Sequence, residues 1–172
     1  MTHLTIDVSR PRPDASVFIA STAAVIGDVR LGRNAGIWYG ASVRGDMAAI
    51  TIGEGSNVQD NATIHVDPGV PASIGSYVTI GHNAVVHGAT IEDEVLIGMG
   101  AIVLNHAVIG KGSLIAAGAV VREGMVIPPG SLVAGVPAKV IKELSPDQRA
   151  HIRENAEVYI ACARAHRKAS QG

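Results

Sequence analysis

The chain of 172 residues is short of several things, and each shortage removes a class of explanation. Cysteine occurs once, at Cys162, which rules out an internal disulfide and fits a reducing compartment. Charge of one sign is not in excess: the formal net charge is -1, and no basic cluster precedes the final segment, so nothing argues for nucleic acid. No apolar run is long enough to span a membrane, and the opening Met1 to Asp7 lacks the apolar stretch of a signal peptide. A cytoplasmic protein with no membrane partner is expected. Aromatic residues make up only 3% of the chain, so a core must be built from aliphatic side chains, and 47% hydrophobic content is enough to bury one.

What is present is a repeat. Ile91, Ile97, Val103, Ile109, Ile115, Val121, Ile127 and Val133 recur at every sixth position without a break. The same step occurs earlier in pieces: Ile26; Leu31, Ile37 and Val43; Ile52, Val58 and Ile64; Ile74, Ile80 and Val86. A six-residue period fits neither a helical face nor a two-sided strand, and repeats of this length indicate a parallel β-helix. Pairs such as Gly27-Asp28, Gly32-Arg33 and Gly110-Lys111 are expected to turn the corners, with glycine taking backbone angles that other residues avoid. The pattern resembles the left-handed β-helix of hexapeptide-repeat proteins, in which three hexads make one triangular coil. The expected class is all-β: a left-handed parallel β-helix over residues 1–137, then a linker and a C-terminal α-helix packed on the prism over 138–172.

The helix has its own signals. Ser145-Pro146-Asp147-Gln148 reads as a capping box with proline at the first helical position. Ile152, Ala156, Tyr159, Ile160 and Ala163 then form an apolar stripe that would lie along one prism face or at a subunit contact. Arg164, His166, Arg167 and Lys168 read as a solvated end that complements the helix dipole. Trp38 and Tyr39 are expected to pack at an interface.

Hexad arithmetic places the histidines. His65 follows the core position Ile64 and His87 follows Val86, so the two occupy equivalent slots once four residues are looped out between Asp67 and Ala72. Their backbones would be stacked about 4.8 Å apart, close enough for both imidazoles to share a zinc ion. His82 lies five residues before His87 and falls on the neighbouring face. A third ligand would then come from another subunit, and three prisms around a threefold axis would close such a head-to-tail contact into a homotrimer with three interfacial sites. His3, His106, His151 and His166 read as surface residues.

Polar neighbours fall in the same columns. Arg44 lies one rung from His65, with Asp46 two residues on; the pair reads as an intersubunit salt bridge or as a holder of a carboxylate product. Asp60 falls in the column of His82, where a carboxylate can orient an imidazole or polarise water. Gln59 could hold an anion or hydroxide by its amide, and Asn57, Gln59 and Asp60 could alternatively cap a turn.

The string Asn57-Val58-Gln59-Asp60-Asn61, with Ile64-His65, Gly81-His82, Val86-His87-Gly88 and the upstream Arg44-Gly45-Asp46, resembles the gamma-class carbonic anhydrases and their short-loop bacterial relatives over about residues 10 to 170. The resemblance implies a homotrimer with Zn2+, or Fe2+ or Co2+, bound at each interface by His65 and His87 of one chain and His82 of the next. It implies Arg44 and Asp46 near bicarbonate, Gln59 orienting a metal-bound hydroxide, and Asn57 and Asp60 in the surrounding network. The implied reaction is reversible hydration of carbon dioxide to bicarbonate. Met47 stands where the best-known archaeal pattern has a glutamate, and the segment from Asp67 to Ala72 is short and nearly uncharged, so the acidic proton-relay groups of that pattern are absent from these positions. The same site could serve a metal-dependent hydrolase of thioesterase type acting on another small carbonyl substrate. A hexapeptide acyltransferase and a non-catalytic metal-binding trimer are the remaining readings.

Overall fold

Strand registers in the computed structural model, which describes residues 6–11 and 13–169, follow the hexads. Ile97 is paired with Ile80 on one side and Ile115 on the other, and Ile115 is paired in turn with Val133. Each core aliphatic therefore lies on its equivalent one coil away, and the chain winds as a left-handed parallel solenoid of triangular section. His3 lies outside the described residues.

The first face of the prism runs through the strands Phe18–Ile19, Gly36–Ile37, Asn57–Val58, Thr79–Ile80, Leu96–Ile97, Leu114–Ile115 and Ser131–Ala134. The second and third faces form one continuous sheet, because the strands Ala24–Leu31 and Ser42–Ile52 run around a corner. Ser42–Ile52 pairs at one end with Thr63–His65 and at the other with Ala72–Ile74. The aliphatic at each inward position is sealed: Ile37, Val43, Ile64, Ile80, Val86, Ile97, Val103, Ile109 and Ile115 expose no surface. Burying each such side chain contributes about 1.5–3 kcal/mol, which is how a chain with almost no aromatics holds together.

Three local expectations change. Val25, not Ile26, is the inward residue of its strand, since Val25 pairs with Val43 and Ile26 with Arg44. At Gly32 and Gly110 the backbone is not left-handed. A Cβ there would stand 2.6 Å from the Glu54 nitrogen and 2.5 Å from the Pro129 nitrogen respectively, so glycine is needed for the close approach of successive coils. The left-handed corner falls two residues later, at Asn34 and Gly112. The segment expected to be a linker carries the strand Lys139–Glu143, which adds antiparallel to Ser131–Ala134.

The helix spans Pro146–Ala169 and starts with the expected box: the Ser145 N–H donates to Gln148 Oε1 at 3.1 Å, and the Gln148 N–H to Ser145 Oγ at 3.3 Å. It returns along the first face, against the strands Phe18–Ile19, Gly36–Ile37, Asn57–Val58 and Thr79–Ile80. Ile152, Ala156 and Ala163 are buried beneath it. Its last turn is not merely solvated. His166 packs against Phe18, Trp38 and Tyr39, and Arg167 donates to the Ala15 carbonyl at 2.7 Å. Trp38 is likewise buried within its own chain, between Phe18, Tyr159 and His166, rather than left for an interface. No helix among the described residues is long and apolar enough to cross a membrane.

Candidate metal centre

Arg44, His65 and His87 are in direct register on three successive rungs of the second face. Each follows an inward aliphatic, so strand alternation turns its side chain outward. The extra residues between the His65 and His87 rungs are taken up where Asp67 and Val70 close a small antiparallel turn, as the spacing required. His65 Nδ1 then lies 3.0 Å from His87 Nε2, with the rings 67° apart.

The other nitrogen of each ring has an oxygen partner that decides its protonation. His65 Nε2 is 3.1 Å from Asp46 Oδ1, and an ionised carboxylate can only accept, so Nε2 carries the hydrogen. His87 Nδ1 is 2.7 Å from Asn105 Oδ1, while the Asn105 amide nitrogen donates to Asp67 Oδ2 at 2.7 Å. Oδ1 of Asn105 is thereby an acceptor, and His87 Nδ1 carries the hydrogen. Both facing nitrogens are left with lone pairs. Two such lone pairs at 3.0 Å repel unless a proton or a metal cation lies between them. Two imidazole nitrogens on one tetrahedral zinc, at 2.0 to 2.1 Å from it, would stand about 3.3 Å apart, so the donor set is compatible with that ion after a small outward movement of the rings.

Asp46 is well placed to hold its proton-free form. Burial pushes its pKa up, but the Arg44 guanidinium, bonded to Asp46 Oδ2, and the His65 ring outweigh this and bring it below the usual carboxylate value. The ion pair is formed within one chain. Arg44 and Asp46 share a side of the strand because they are two residues apart.

His82 lies at the end of the first face, on a different side of the prism. Its Nδ1 is 2.9 Å from Asp60 Oδ2, and Asp60 Oδ1 also accepts the Tyr39 N–H at 3.2 Å. By the same donor logic its Nε2 bears a lone pair, facing the Tyr159 hydroxyl at 3.4 Å. Burial first, then the charge of Asp60 and that of Cys162, raise the pKa of Tyr159, so this hydroxyl stays protonated at neutral pH. Among the described residues no group of three His, Cys, Asp or Glu side chains is placed to hold a metal.

Gln59 and Asn57 belong to a buried ladder. The His82 N–H donates to Gln59 Oε1, Gln59 Nε2 to Asn57 Oδ1, Asn57 Nδ2 to Thr79 Oγ1, and the Thr79 hydroxyl to Asn155 Oδ1 on the helix. A backbone N–H starts the chain, so every amide in it is oriented, and one N–H of Gln59 remains beyond the bond to Asn57.

Several participants escaped the sequence reading. Thr79, Asn155 and Asn105 belong to no sequence motif, Tyr159 falls within an apolar stripe, and Asp67 within a nearly uncharged loop. Asn105 was within reach: Val103 lies one coil after Val86, which puts Asn105 beside His87 and Gly88.

Residues 88–123 match the family model described as bacterial transferase hexapeptide (six repeats). A carbonic anhydrase of Geobacillus kaustophilus is 47% identical over 137 residues, covering 80% of this chain and 75% of that protein. Gamma carbonic anhydrase 2, mitochondrial, of Arabidopsis thaliana is 41% identical over 162 residues, 91% of this chain; the chain spans only 58% of that relative's length. Among solved structures, a hexapeptide transferase family protein from Anaplasma phagocytophilum superposes with a TM-score of 0.85 at 41% identity, covering 88% of this chain and 90% of that one.

Proposed function

The chain belongs to the gamma carbonic anhydrase family of hexapeptide-repeat proteins, and on that premise we propose that it catalyses the reversible hydration of carbon dioxide at a divalent metal ion shared between two copies. The observation that carries the reading is the pair of lone-pair nitrogens, His65 Nδ1 and His87 Nε2, facing each other at 3.0 Å. His82, fixed by Asp60 in the same one-sided way, is the third ligand and belongs to a neighbouring copy. Head-to-tail contact of the second face of one prism with the first face of the next closes as a homotrimer. Neutral imidazoles suit Zn2+, with Fe2+ or Co2+ also compatible with the donor set.

Zinc held by three imidazoles supplies a Lewis acid that brings the pKa of water to about 7. The chain's own residues do the rest. Asp46 and Asn105 hold His65 and His87 with the hydrogen on the nitrogen turned away from the site. The Arg44 guanidinium, anchored on one side by Asp46 and partly exposed on the other, offers N–H groups to the carboxylate character of bicarbonate. Gln59, held by the His82 N–H and Asn57, offers its second amide N–H as an oriented donor.

The test is stopped-flow carbon dioxide hydration with metal analysis of the same preparation. Hydration that is lost on chelation, restored by zinc, and absent from His87→Ala supports the proposal; activity unchanged by chelation or by His87→Ala refutes it. Thioester hydrolysis is the second reading, favoured by a groove of about 380 Å³ that runs from His82 past Leu96, Met99, Leu114 and Tyr159. Turnover of an acyl thioester with no hydration would select it.

A further inference from the structure

Resting on the metal reading, we propose that Asn105 and Asp67 are positioning residues that fix which nitrogen of His87 is available to the metal. Asp67 lies in the turn that follows the His65 strand, and Asn105 lies beside the His87 strand on the next rung. Neither touches the facing nitrogens. Asp67 accepts from the Asn105 amide at 2.7 Å, and the oriented amide oxygen accepts from His87 Nδ1 at 2.7 Å. A neutral imidazole has one hydrogen to place, so holding it on Nδ1 leaves Nε2 as the ligand.

The backbone makes room for this carboxamide. A Cβ at Gly88 would stand 2.5 Å from Asn105 Oδ1 and 2.6 Å from Val70 Cγ1, so a side chain there would push aside the carboxamide oxygen that accepts from His87. Gly88 also takes a left-handed φ of 52°, and its carbonyl accepts the His106 N–H at 2.8 Å, which secures the corner just after Asn105. The insertion that brings His65 and His87 into register thus also delivers the carboxylate that orients one of them.

The decisive readout needs no metal. In the chelator-stripped protein at mildly alkaline pH, 15N–1H correlation of the imidazole nitrogens should show His87 with its hydrogen on Nδ1. Asn105→Ala should move it to Nε2, and Asp67→Ala should give a mixture, because the amide is then free to flip. Asp67→Asn, which can still present an oxygen to Asn105, should restore the Nδ1–H form. Zinc affinity, measured by competition with a chromophoric chelator, should fall about 10–100-fold in Asn105→Ala and recover in Asp67→Asn relative to Asp67→Ala. Asn105→Ala protein that keeps the Nδ1–H form and binds zinc within about twofold of the parent would overturn the proposal, as would Asp67→Asn behaving like Asp67→Ala. Parent protein that shows the Nδ1–H form but binds no zinc would refute the metal reading while upholding the hydrogen placement.

Discussion

His65 Nδ1 and His87 Nε2 face each other across 3.0 Å on adjacent rungs, while their other nitrogens are committed to Asp46 and Asn105. On the proposed metal reading, these two nitrogens are half of a cation site within one chain. His82, on another face with Asp60 behind it, has the form of the other half.

If the halves belong to neighbouring copies, two defective chains can repair each other. His65→Ala and His82→Ala should each purify with almost no metal. Co-expressed, they should recover metal at about one in three interfaces of every mixed ring, since a closed ring of two chains of one kind and one of the other brings together one intact second face and one intact first face. Metal analysis of the separated heterotrimer decides it, and no recovery would mean that His65 and His82 do not meet across an interface between copies.

Asp46 should make stability depend on pH in a definite direction. Its pKa is lowered in the folded chain, so its contribution is present above the ordinary carboxylate value and is lost as pH falls through the folded one. Asp46→Asn should be less stable than the parent by about 1.5–3 kcal/mol at neutral pH, the range of hydrogen bonds to charged groups. The two denaturation midpoints should converge in acid. Curves that stay parallel down to low pH would contradict this.

Glycines of close approach and glycines of the left-handed corners should respond differently to a methyl group. Gly110→Ala drives a Cβ into the Pro129 backbone nitrogen, 2.5 Å away, and should cost about 1–3 kcal/mol through displaced coils. Gly118→Ala meets nothing within 4 Å but sits at φ 68°, so it should cost only the left-handed strain of roughly 1 kcal/mol. Urea unfolding of both variants compares them; equal costs would mean that close approach is not what Gly110 provides.

The residues legible in advance were those whose place depends on counting. His65 and His87 could be stacked because rungs repeat at a fixed interval, and Arg44 and Asp60 were assigned to their columns by the same count. Ile26 was misplaced by one residue because the first coils lack an unbroken run to fix the count. The capping box at Ser145 was legible because it is local, closed by groups three residues apart.

Other features were beyond any count. Trp38 lies beneath Tyr159 and His166 because a helix more than a hundred residues later folds back over it. Asn105 orients His87 because Asp67 turns its amide, a choice made by side-chain torsions and not by rung number. By itself the sequence determined the solenoid, its columns and the two histidines that share a rung step, since a six-residue period of aliphatics has one way to bury itself. Only the tertiary structure decided which nitrogen each histidine turns to the site, because hydrogen-bond direction is set by partners that meet across coils and from the returning helix.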